Sequence, residues 1–189
     1  MQRLDPKSSL VLVVDVQERL CQAMPKARIA DLERSATILI GAAAELSIPV
    51  LATEQYPRGL GPTLAPISEL LDKVSARRFE KVVFSACAAG DVRDALEASG
   101  AKSVIVIGME THVCVFQTAR DLVAAGYAVH VPIDGVSSRR DDHRETGLAL
   151  CENAGAVLTT SETVLFEWLG RAGTDVFKRL SPLVRDPGA

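Results

Sequence analysis

Short aliphatic runs alternate along this chain with longer stretches whose apolar residues recur every three or four positions. The runs are Leu10–Asp15 (LVLVVD), Val50–Thr53 (VLAT), Val82–Ser85 (VVFS), Ser103–Gly108 (SVIVIG), Tyr127–Pro132 (YAVHVP) and Ala156–Thr160 (AVLTT). They predict short strands. Between them, Ile29–Ser47 places Ile29, Leu32, Ala36, Leu39, Ile40 and Ala43 on one helical side. Ala89–Gly100 predicts a second helix, with Asp91 in its first turn and Gly100 at its end. Val113–Gly126, Asp141–Gly155 and Ser161–Gly170 predict three more, the last capped by Ser161. Glu54–Thr63 is turn-rich, punctuated by Pro and Gly.

Repeated strand, helix, strand units predict right-handed βαβ crossovers and a mostly parallel sheet covered by helices on both faces, a three-layer α/β domain. In such sheets ligands bind at the carboxyl ends of the strands. The residues just past each aliphatic run therefore become the candidates: Asp15 and Gln17, Glu54 to Tyr56, Glu110 to Cys114, and Asp134 to Arg139.

Composition narrows the choice. A chain of 189 residues predicts one domain over 1–189, with 185–189 (RDPGA) as a frayed tail. The formal net charge is −3, aromatic content is 4%, and no basic stripe carries interleaved aromatics, which argues against a nucleic-acid partner. Cys21, Cys87, Cys114 and Cys151 form no CxxC pair, which argues against a thiolate metal site or a disulfide framework. No apolar run approaches the roughly 20 residues of a membrane span, and no secretion-signal pattern opens the chain, so a cytoplasmic location is expected.

The stretch GMETHVCVFQT (Gly108–Thr118) places Cys114 in the first turn of a helix that follows a strand. Unpaired N–H groups and the helix dipole would favour a thiolate there, and the same N–H groups can hold an oxyanion. The competing reading is a buried small hydrophobe. His112, two positions away, would project from a different side of the helix. Asp15, closing the first strand, is the better base, though it also fits a helix cap. Lys81, beside another predicted strand, fits either a countercharge or a solvated surface position. His130 and His143 fit structural or solvated roles.

VVDVQERL, TEQYPRGLGPT, KVVFSA and GMETHVCVFQTARDL, in that order and spacing, resemble the isochorismatase-like cysteine hydrolases. The resemblance is greatest to the isochorismatase domain-containing branch and continues through VPIDGVSSRR, TTSETVLFEWLG and FKRLSPLV, almost the whole chain. It implies a Rossmann-like sheet of six strands in a three-layer α/β/α sandwich. It implies a triad of Asp15, Lys81 and Cys114, and a cis peptide at Met109–Glu110 that turns the N–H of Glu110 toward that of Cys114 as an oxyanion hole. Nicotinamidases of this superfamily carry an Asp-x-His metal cluster where this chain reads TEQYPRG, so no metal and no cofactor are expected. Vinyl-ether-cleaving isochorismatases lack the cysteine that is present here.

The resemblance and the strand-end positions together predict a hydrolase of a small amide or related C–N bond, working through a thioester, with Gln17, Glu54, Gln55 and Tyr56 as pocket candidates by position; Glu54 and Tyr56 fit turn or subunit-contact roles equally well. The partner is a small molecule, with neither nucleic acid nor membrane involved, and the resemblance implies a homo-oligomer. The alternatives are a non-catalytic interaction protein and a redox-sensing thiol protein on the same fold.

Overall fold

The computed structural model describes residues 3–185, so the expected tail lies outside the described residues except for Arg185. Seven strands form one parallel sheet: β1 (Ser9–Val14), β2 (Val50–Gln55), β3 (Arg77–Lys81), β4 (Ser103–Met109), β5 (Ala128–Pro132), β6 (Val136–Ser137) and β7 (Val157–Thr159). The order across the sheet is β3-β2-β1-β4-β5-β7, and the two-residue β6 adds to the end of β4. The helices are α1 (Glu18–Gln22), α2 (Lys26–Leu46), α3 (Pro57–Leu60), α4 (Ala65–Lys73), α5 (Gly90–Ala98), α6 (Phe116–Ala124), α7 (Asp141–Asn153), α8 (Ser161–Leu169) and α9 (Asp175–Leu180).

Strand alternation divides the core in two. Val11, Val13, Ile105, Ile107 and Met109 point into a cluster with α2, α4 and α8. Leu10, Leu12, Val14, Val104 and Val106 point the other way, into a cluster with α5, α6 and α7. Both faces are thus covered and β1 is buried along its whole length, as aliphatic runs without polar alternation require.

Three expectations are corrected. The sheet has seven strands, not six, because Val136–Ser137 pairs with Gly108 and Met109. Val82–Ser85 is not a strand; β3 lies just before it, and Val82, Val83 and Phe84 are exposed. The cap of α8 is Thr160, which accepts from the Thr163 N–H, while Ser161 binds Asp134. No described helix is long and apolar enough to cross a membrane.

The strand order positions the site. From β1 the chain builds outward to β2 and β3; from β4 it builds the opposite way to β5 and β7. The reversal falls between β1 and β4, whose carboxyl ends are side by side with Val14 opposite Gly108. Ligand crevices of open α/β sheets form at such a reversal.

Candidate active site

Asp15 follows β1 with φ +52°, a left-handed conformation that Asp tolerates better than most residues. The turn folds its carboxylate inward. Oδ1 accepts from Thr53 Oγ1 at 2.7 Å and Oδ2 accepts from Lys81 Nζ at 2.6 Å. Both side chains of this ion pair are fully buried, at 0% exposure. Lys81 closes β3, where alternation turns it inward along with Phe79. Its ammonium also donates to Gln55 Oε1 (2.8 Å) and to the carbonyls of Phe84 (3.0 Å) and Val83 (3.2 Å). A buried charge needs such complete ligation, since desolvating it is costly.

Cys114 lies in a π-type turn, Thr111–Val115, that joins β4 to α6. The peptide bond Met109–Glu110 is cis. The Glu110 carbonyl accepts from Val113 N and Val115 N, and the Glu110 N–H is directed at the Cys114 sulfur. The Asp15 carboxylate lies close enough to the Cys114 thiol to act on its proton. Burial pushes the thiol up to about 12; the Asp15 charge and hydrogen bond add to this, while Lys81 and the Glu110 N–H act against it. The helix start therefore does not ionise this cysteine. Its proton stays on the thiol, shared with a carboxylate able to take it.

The segment after β6 braces the same corner. Arg139 Nε donates to Glu110 Oε1 at 2.7 Å, and Ser138 Oγ lies 3.0 Å from His112 Nδ1. Burial holds the His112 imidazole below its ordinary range, and its ring meets His143 at 4.7 Å rather than the thiol. Gly147 of α7 packs against the turn so closely that a Cβ there would come within 2.6 Å of His112 N.

The pocket candidates separate. Gln17 is fully buried and spends its amide on the chain: Nε2 donates to the Gln55 and Gly61 carbonyls (3.0 and 2.7 Å), and Oε1 accepts from Gln55 N (2.7 Å). Gln55 Nε2 donates to the Val82 carbonyl at 2.9 Å. Glu54 Oε1 holds Thr63 through its N–H (2.8 Å) and hydroxyl (2.6 Å). Tyr56 is 54% exposed and lines an open cleft. Ser138 and Arg139 fall within the Asp134–Arg139 stretch that the strand ends singled out; sequence reasoning missed Thr53, which was within reach, since it ends the run whose next residues were singled out. Among the described residues no three His, Cys, Asp or Glu side chains gather as a metal site.

Residues 9–163 match the model of the Isochorismatase domain. Isochorismatase domain-containing protein 2 of Bos taurus is 35% identical over 186 residues, covering 98% of this chain and 87% of that protein. A solved structure described as the MAR1 ribonuclease of Caenorhabditis elegans is 36% identical with a TM-score of 0.90, covering 100% of this chain and 95% of the other. The YcaC gene product of Escherichia coli, described as an octameric hydrolase of unknown specificity, is 24% identical with a TM-score of 0.89, covering 97% and 89%.

Proposed function

The chain belongs to the isochorismatase family, and from that premise we propose that it hydrolyses a small amide or related C–N bond through a thioester on Cys114. The observation that carries this reading is one buried carboxylate, Asp15, that holds the Lys81 ammonium at 2.6 Å and acts on the Cys114 thiol.

Cys114 Sγ attacks the carbonyl carbon while Asp15 takes the thiol proton. The N–H groups of Glu110 and Cys114 hold the oxyanion. The C–N bond breaks as Asp15 returns the proton to the leaving nitrogen, and the acyl group remains as a thioester. Water then attacks with Asp15 as base, and the sulfur leaves and regains its proton. Lys81 balances the negative charge passed between Asp15 and the sulfur. A thiol held near 12 suits this scheme, because proton removal is coupled to attack. It does not suit a redox sensor, which needs an accessible thiolate.

A net charge of −3 and 4% aromatic residues offer no basic, stacking surface, so a small molecule is preferred to RNA as substrate. The Escherichia coli relative is described as octameric, and an assembly of two or more copies is proposed for this chain as well.

The test is a panel of small amides with wild type and Cys114→Ala. Wild type should turn over at least one, and the variant should lose about 10³–10⁶-fold in rate on it. Rapid-quench mass spectrometry should find the acyl group on Cys114. No turnover by wild type, or full rate in the variant, rejects the mechanism.

A further inference from the structure

Four of the seven exposed large apolar side chains among the described residues sit together: Tyr56, Val82, Val83 and Phe84. Tyr56, Val82 and Val83 line an open cleft of about 580 Å³, with Arg58 and Glu80 also on its walls. The cleft borders β3, the outermost strand on that side of the sheet, which pairs only with β2. An apolar patch beside an open sheet edge is an association surface or an aggregation hazard. Its charges are arranged for association. Arg58 and Glu80 are both exposed, opposite in sign, and form no side-chain hydrogen bond or ion pair among the described residues. Nearby Arg78 is engaged by Asp72 at 2.6 Å, and Arg77 lies over the Phe79 ring at 4.9 Å.

We propose that this surface is a two-fold contact between two copies of this chain, with Arg58 of each copy facing Glu80 of the other. A two-fold contact lays one patch on its own image, so it must be self-complementary. This patch carries an apolar centre and one unpaired charge of each sign, and a two-fold axis turns them into two ion pairs. The contact also reaches the chemistry, a point that rests on the function proposed above. The side chains of Val82, Val83 and Phe84 face outward, while their carbonyls hold Gln55 Nε2 and Lys81 Nζ. Covering those side chains fixes the carbonyls that position the lysine.

Assembly is read by sedimentation equilibrium, without substrate. Wild type should self-associate. Arg58→Glu and Glu80→Arg should each weaken association by about 10–100-fold, and the double exchange should restore it. Val82→Lys, at a 75% exposed position, should give a folded protein with weakened association and serves if a charge variant fails to fold. Specific activity of the single variants should fall on dilution and return in the double exchange. A monomeric wild type, single variants that associate normally, or a double exchange that stays dissociated overturns the proposal. If assembly follows this pattern and no amide is turned over, the proposed reaction fails while the surface stands.

Discussion

Cys114 and Cys151 are both buried, belong to the same apolar cluster, and have thiols pushed up to about 12. At Cys151 burial is the whole cause. At Cys114 burial is joined by Asp15, opposed by Lys81 and by the Glu110 N–H. Equal acidity thus conceals different chemistry. The packing cysteine has lost water and gained nothing polar, whereas the other has exchanged water for a base, a cation and a directed N–H group.

Substitutions can break this contrast, and the largest effect is expected at the sulfur itself. Cys114→Ser should lower amide turnover by about 10³–10⁶-fold with little change in melting temperature. Similar losses at Cys114 and Cys151 would end the distinction. Asp15→Asn should cost about 10²–10⁴-fold in rate. It should also lower the thiol pKa, because the Asp15 charge and hydrogen bond both raise it. The pH profile of iodoacetamide alkylation at Cys114, followed by mass spectrometry, should move to lower pH; a move upward refutes this account of the site.

Lys81→Met acts in the opposite sense. It removes the charge that lowers the thiol pKa, so the alkylation profile should move to higher pH. Leaving Asp15 buried without its cation should cost about 3–5 kcal/mol in denaturant unfolding. Gly147→Ala would force the π-type turn away from α7 and should cost about 1–3 kcal/mol and slow turnover. Cys151→Ala should be the mildest, costing about 1 kcal/mol with turnover retained.

The strands that sequence reading placed most directly are those buried on both faces, because an unbroken aliphatic run has few other homes. β1 and β4 are of this kind. β3 escaped it: an edge strand reading RRFEK buries only Phe79 and Lys81, so its composition resembles a charged loop. The adjoining Val82, Val83 and Phe84 have the opposite character, apolar in sequence and exposed in this chain, because their main chain is occupied with Gln55 and Lys81. At the site, the corner and its carboxylate followed from strand ends alone. The direction of the thiol shift did not, since a helix start signals a dipole but not how deeply the sulfur is buried. Nor did the roles of Gln17 and Glu54, whose partners lie about ten to forty positions away in the chain.

Gly108 has a consequence of its own. It lies opposite Val14 with φ +128°, and a Cβ there would run into the Val14 carbonyl. Asp15 hangs from one of these strands and Cys114 from the other, so the gap between acid and sulfur is gauged by an atom the chain leaves out. Gly108→Ala would set a methyl group on the Val14 main chain and demand a backbone conformation that L side chains rarely adopt, so the strand pairing that spaces acid and sulfur would have to give way although no reacting residue is altered.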